Sequence, residues 1–271
     1  MTLRLLAEVS PQDLLAALSE LQTHLLGYVK SMALKCAVDL DIPDAIHRRG
    51  GAATLADIAA DSKVHPSKVP DLQRMMELLS ASGIFTVAAA GEDGGSAGGD
   101  AVYGLTTACR FLVGRCNLSP VVPFMASPLV VSSFYGMSDW FRSEPAIGSL
   151  FELAHGCSRW EMASKDAAFN AVLNDSLVAD SQLFMEVIIF DKGRLFRGLN
   201  SLVDVGGGHG AAAQVIARAF PRIKCTVLDR THVVSQATAG ESENLRFVAG
   251  DMFESIPPAD AVLLKVLMSI D

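Results

Sequence analysis

Apolar residues recur at helical spacing from near the start of the chain. Leu14, Leu15, Leu18, Leu21, Leu25 and Leu26 form a stripe that Val29, Met32, Ala33, Cys36, Ala37 and Leu40 continue. Ser10-Pro11-Gln12-Asp13 opens it with an N-cap, a proline at the first helical position and an acid in the first turn. A long helix with this much apolar surface needs a cover, and a second chain is a natural one. A further helix starts at Thr54-Leu55-Ala56-Asp57, a capping box with Asp in place of Glu, and the pattern breaks at His65-Pro66. Val69, Leu72, Met75, Met76 and Leu79 make the next stripe, which Gly83 ends. Two short apolar strands, Ile84–Val87 and Val102–Leu105, flank a loop over 91–100 rich in glycine and acids. Helix, turn, helix and hairpin in this order predict a winged helix.

From Phe111 to Phe190 the spacing is mostly helical, and Ala167–Ile189 reads as one helix. The aromatic and methionine side chains of this region are core residues for the most part. Some are candidates for clamping a flat aromatic molecule. Beyond it the period changes. Ser201–Val205, Lys224–Leu228, Leu245–Ala249 and Ala259–Leu267 are short runs of the kind that parallel strands buried on both faces show. The first runs into Gly206-Gly207-Gly208-His209-Gly210 and then a helix over Ala211–Ala219. Glycines let a ligand approach the backbone without meeting a Cβ, and a helix start offers unpaired N–H groups. Strand, glycine turn and helix therefore predict a nucleotide-type cofactor site. Asp229, just past the second strand, is placed to accept from ribose hydroxyls. After the third strand, Asp251 is a candidate acceptor for an adenine amino group and Met252 a candidate to pack on the ring. Gly206, Gly208 and Ala211 also satisfy a loose dinucleotide fingerprint. Asp204 inside the strand and the Gly250-Asp251-Met252-Phe253 turn favour S-adenosylmethionine over NAD.

Composition narrows the picture. At 271 residues the chain has room for two domains. A net charge of −8 opposes a broad nucleic-acid surface, and between Pro66 and Gly83 only Lys68 and Arg74 are basic. The five cysteines are scattered without metal-ligand spacing, which reads as reduced thiols, no metal site and a cytoplasmic protein. Neither a signal peptide nor an apolar run of about 20 residues is apparent, so no membrane association is expected.

Leu202-Val203-Asp204-Val205-Gly206-Gly207-Gly208, Val227-Leu228-Asp229 and the run Gly250-Asp251-Met252-Phe253-Glu254-Ser255-Ile256-Pro257 into Ala259-Asp260-Ala261-Val262 carry a resemblance. Over nearly its whole length the chain resembles the plant O-methyltransferases of the caffeate/flavonoid type, particularly the grass root-type members. The resemblance implies an α/β protein: a mainly helical winged-helix dimerisation domain over 1–112, then a Rossmann-like methyltransferase domain over 113–271. It implies S-adenosylmethionine as cofactor and a small phenolic acceptor. It puts Gly208, Asp229, Asp251, Met252, Lys265 and Ser181 on the cofactor, and Met125, Phe169, Leu173, Leu177, Asp180 and His155 near the acceptor.

One departure from the family pattern bears on activity. The family follows its lysine with a histidine-aspartate-tryptophan segment whose histidine is the general base. Here Lys265 is followed by Val266-Leu267-Met268-Ser269-Ile270-Asp271, and the base position falls at Ser269, or at Met268 with one deletion. Neither takes a proton from a phenol near neutral pH. The expectation is an incomplete, C-terminally truncated methyltransferase domain with little or no activity. The alternative is a non-catalytic dimerising chain, a homodimer or a heterodimer with full-length relatives.

Overall fold

Ser10 starts the first helix as its spacing predicts, its Oγ accepting the Asp13 N–H at 3.1 Å. The computed structural model describes residues 9–88, 101–114, 117–143, 148–191, 193–237 and 242–265. The expected single helix is two, α1 (Pro11–Leu25) and α2 (Gly27–Asp39), with Leu26 off the helical region at φ −101°, ψ 5°. Gly27 stands at that break, and glycine is a poor helix former. α3 (Ile42–Arg48) follows Asp41, whose left-handed backbone (φ 53°) redirects the chain.

Thr54 and Asp57 form the predicted reciprocal cap on α4 (Leu55–Asp61), each side chain taking the other's backbone N–H at 3.1 Å. Arg49 reaches the same carboxylate at 2.7 Å and grips Asp61 with two further bonds at 2.7 and 2.9 Å. α5 (Val69–Ala81) buries Leu72, Met76 and Leu79. The hairpin is β2 (Phe85–Ala88) with β3 (Val102–Leu105), and the loop predicted at 91–100 lies outside the described residues. A strand that the pattern does not reveal, β1 (Ala52–Thr54), pairs with β3 to complete an antiparallel sheet ordered β1-β3-β2. Three residues are too few to show a period. These elements form one compact unit, Met1–Val113, around Ile42, Ile46, Ile58, Met76, Leu79, Phe85 and Tyr103. By contrast α1 buries none of its residues.

The second unit, Gly114–Asp271, begins with short helices and then the 24-residue helix Ala167–Phe190. By length and composition Val121–Trp140 is apolar enough to cross a membrane, which corrects the expectation that no such run is present. It is folded as separate short pieces, Val121–Met125, Pro128–Ser133, Phe134–Gly136 and Met137–Trp140. Such breaks would leave backbone groups unpaired in lipid.

β4 (Ser201–Val205), β5 (Lys224–Asp229), β6 (Leu245–Ala249) and β7 (Ala261–Leu264) make a parallel sheet ordered β6-β5-β4-β7. On one face Leu202, Cys225 and Val227 pack with Met185 of the long helix and Ile216 of the helix Ala211–Ala219. Val203, Val205 and Leu228 face the other way, with Val248 and Met252 against them. Among the described residues β7 pairs with β4 alone, and the part of the predicted strand after Lys265 lies outside them.

Asp260 fixes the register where β4 and β7 begin. Its Oδ2 accepts the N–H groups of Asn200 at 2.7 Å and Ser201 at 3.0 Å, and its own N–H donates to Ser201 Oγ at 2.9 Å. The two backbone donors hold this carboxyl below its ordinary pKa of 3.8. A group whose pKa is depressed on folding contributes stability above its unfolded pKa and loses it as pH falls through the folded one. Asp260→Ala is therefore expected to lower the melting temperature at neutral pH. The difference from wild type should shrink only below pH 3.8. A constant difference from pH 7 down to the acid limit would show that the charge on Asp260 plays no part.

Candidate functional site

The chain order of the sheet reverses between β4 and β7. In an open parallel sheet that switch point leaves a crevice beyond the carboxyl ends of the strands, where ligands bind. Here those ends carry the glycine turn (after β4), Asp229 (end of β5), Asp251 (after β6) and Lys265 (after β7). A glycine turn and three residues far apart in sequence are thus gathered along one rim of the sheet.

Gly206, Gly208 and Gly210 all have positive φ, at 67°, 57° and 76°. The Gly208 N–H donates to Asp229 Oδ2 at 2.8 Å, so the turn and the end of β5 are directly joined. Asp229 Oδ1 accepts the Arg230 N–H at 2.7 Å. A carboxylate offers about four lone-pair sites, so both oxygens keep capacity for hydroxyl donors. Gly250 N–H bonds the Asp229 carbonyl at 3.0 Å, which brings the Asp251 turn beside it. Asp251 is exposed and holds its own turn through the Phe253 N–H at 2.8 Å. Met252 is half-buried on the Val203–Val205–Leu228 face of the sheet.

At the end of β7 the Lys265 side chain is 13% exposed. Its ammonium pairs with the Asp180 carboxylate, lies 3.3 Å from Ser181 Oγ and sits 5.6 Å from the centre of the Phe184 ring. Residues read as cofactor-side (Lys265, Ser181) and acceptor-side (Asp180) therefore form one cluster. Phe184 joins it without having been singled out in the sequence, because a contact between residues so far apart along the chain leaves no local signal.

The other acceptor candidates are arranged along the same long helix. Phe169 and Leu173 are buried with Phe124 and Phe151, and Leu177 packs on the edge of that cluster. Leu177 is one turn from Asp180, about 5 Å along the axis. Met125 is exposed beside buried Phe124. His155 stacks on Phe151 with ring centres 4.3 Å apart, and its Nε2 lies 2.9 Å from the Leu129 carbonyl and 3.4 Å from Ser133 Oγ. The imidazole is thus engaged by backbone. Ser269, the position matched to the family base, lies outside the described residues.

Asp204 stands out in this geometry. It is 2% exposed, in a strand where it is flanked by buried Leu202, Val203 and Val205. Its Oδ2 is buried and has no hydrogen-bond partner among the described residues. Burial is the main cause that pushes its pKa up to about 7. The acid was visible in the sequence, but the missing partner was not.

A family model for an O-methyltransferase domain matches residues 134–269, and one for an O-methyltransferase dimerisation domain matches 22–115. Acetylserotonin O-methyltransferase 1 of Oryza sativa subsp. japonica is 48% identical over 266 residues, spanning 96% of this chain and 71% of the rice protein. A 5-pentadecatrienyl resorcinol O-methyltransferase of Sorghum bicolor is 44% identical, spanning 95% and 72%. Among solved structures, the S-adenosylhomocysteine-bound form of CalO1, a methyltransferase in calicheamicin biosynthesis, superposes with a TM-score of 0.69. It has 22% identity and covers 92% of this chain and 70% of that one, a likeness of fold.

Proposed function

Since this chain belongs to the O-methyltransferase family, we propose that its site holds S-adenosylmethionine for methylation of a phenolic hydroxyl. The observation that carries the reading is the convergence of the glycine turn, Asp229, Asp251 and Lys265 at the carboxyl rim of the sheet. The donor set suits this cofactor. Free lone pairs on Asp229 suit ribose hydroxyls, Asp251 suits an adenine amino group, and half-buried Met252 offers a soft surface for the ring. Gly208 leaves open space where a side chain would stand. Lys265 and Ser181 supply donors for a carboxylate. When bound, the cofactor supplies a methyl group on a positively charged sulfur.

On the acceptor side, the Phe124–Phe151–Phe169 cluster provides an apolar wall, with Leu177 and Met125 nearer its rim. Such a wall suits an aromatic ring and excludes water around it. The rice and sorghum relatives are named for methylating an acetylserotonin and a resorcinol, both hydroxylated aromatics, which supports the same class here. Residues 1–271 contain no histidine after Lys265. We assign to them the donor site and the acceptor wall, but no general base. Calorimetric titration with S-adenosylmethionine tests the donor site; no saturable binding at millimolar ligand would overturn it.

A second reading concerns assembly. Leu15, Leu18, Leu21 and Leu25 on α1 are each more than half exposed, and the dimerisation model begins within this helix. We propose that a second copy covers them. The full chain is expected to sediment as a dimer at about ten micromolar, as a standard-sized interface allows. Leu18→Glu with Leu25→Glu should give folded monomers. A dimer unchanged by both substitutions would place the interface elsewhere.

A further inference from the structure

Asp204 is a buried carboxyl with one oxygen that has no hydrogen-bond partner among the described residues. An ideal Cβ on Gly207 would fall 2.6 Å from its Oδ2, so the carboxyl lies directly under the glycine turn. The Ala213 N–H, in the first turn of the helix Ala211–Ala219, favours its charged form, while among the described residues Oδ2 has no hydrogen-bond partner. The charged and titratable groups around it come from three directions. From β5, Asp229 opposes its ionisation, and Cys225 faces it as a thiol pushed up to about 11, chiefly by burial. From the end of β7, Lys265 favours ionisation, but that ammonium is already paired with Asp180 of the long helix. In the turn itself stands His209. Burial wins over the helix N–H and Lys265, and Asp204 titrates at about 7.

Resting on the reading of the rim as a donor site, we propose that Asp204 is the buried counter-charge for a positively charged donor, and that donor binding expels its proton. An opposite charge nearby stabilises the ionised form, and by linkage the ionised form then binds the donor more tightly. S-adenosylmethionine carries a net charge of +1, and its demethylated product is neutral overall. Asp204 therefore favours donor over product, acting as a positioning residue through the turn above it. Loss of the methyl group removes the charge that kept it ionised, so the proton returns as product forms.

The test is calorimetric titration of the full chain at pH 7 in two buffers of different ionisation enthalpy. Wild type should release up to about half a proton on binding S-adenosylmethionine, the share a group titrating at about 7 holds there. Release on binding S-adenosylhomocysteine should be smaller. Donor affinity should be about tenfold higher at pH 8 than at pH 6. Asp204→Asn, which keeps the side chain's size and removes its charge, should abolish both effects, and His209→Gln should preserve them. Asp180→Asn frees Lys265 to face Asp204, so the pH dependence should move to lower pH, an outcome independent of how well Asp204→Asn folds. Binding without proton release, or release that vanishes with His209→Gln, overturns this inference while leaving the donor site in place. No binding at either pH overturns both.

Discussion

A polypeptide of residues 1–271 is expected to bind S-adenosylmethionine yet transfer its methyl group about 100- to 10,000-fold more slowly than the same residues followed by the family's histidine segment, the range a positioned general base contributes. The chemistry sets the expectation. A phenol has a pKa of about 10, so near neutral pH its proton must be accepted as the new bond forms. None of the seven residues Lys265 to Asp271 is a histidine, and the Lys265 ammonium is paired with Asp180. His155, placed near the acceptor by the family resemblance, has its Nε2 engaged with the Leu129 carbonyl. Ser269→His alone should restore little, because a base must also be oriented by a partner group. The measurement is transfer from methyl-labelled donor to a panel of phenols, with donor affinity measured in parallel. Rates within tenfold of the extended polypeptide would show that another group in residues 1–271 takes the proton.

Substitution of the turn glycines by alanine is expected to be graded, with Gly210 most sensitive. At Gly210 the backbone is left-handed (φ 76°), and an added Cβ would lie 2.8 Å from Phe247 Cζ and 3.2 Å from Val227 Cγ2. Left-handed strain of about 1–2 kcal/mol and overpacking of about 1–3 kcal/mol act together there, against a typical domain stability of about 5–15 kcal/mol. Gly208 has the same handedness (φ 57°) but open space around the added atom, so only the strain of about 1–2 kcal/mol applies. Gly207 is the converse, an unstrained φ with a Cβ that would meet Asp204 Oδ2 at 2.6 Å and Val227 Cγ1 at 3.0 Å. Melting temperatures should fall in the order wild type, Gly208→Ala, Gly210→Ala. Gly207→Ala should weaken donor affinity more than its stability loss explains, because it displaces the carboxyl beneath the turn. Equal effects at Gly208 and Gly210 would mean that the packing of Phe247 and Val227 is not what constrains the turn.

Much of this protein was legible along the chain because its signals are local. The Ser10 and Thr54 caps act within four residues, and the four parallel strands show as apolar runs bounded by turns. The glycine turn and the acids at 229 and 251 were placed correctly at strand ends for the same reason. Other features were not legible. The break at Leu26 divides a stripe whose apolar period runs straight through it, and β1 is too short to have a period. That Phe169 and Leu173 share one cluster with Phe124 and Phe151 was not legible either, because helical spacing gives a face but not what packs against it.

The sequence by itself determined the elements, their order and the identity of the groups at the strand ends, since each depends on a few consecutive residues. The tertiary structure decided which distant groups meet. It set the β6-β5-β4-β7 order that gathers the rim, the pairing of Lys265 with Asp180 across 85 residues and the unpartnered oxygen of Asp204. The physical reason is that burial and electrostatic pairing act through space, and in a parallel sheet neighbours in space are remote along the chain.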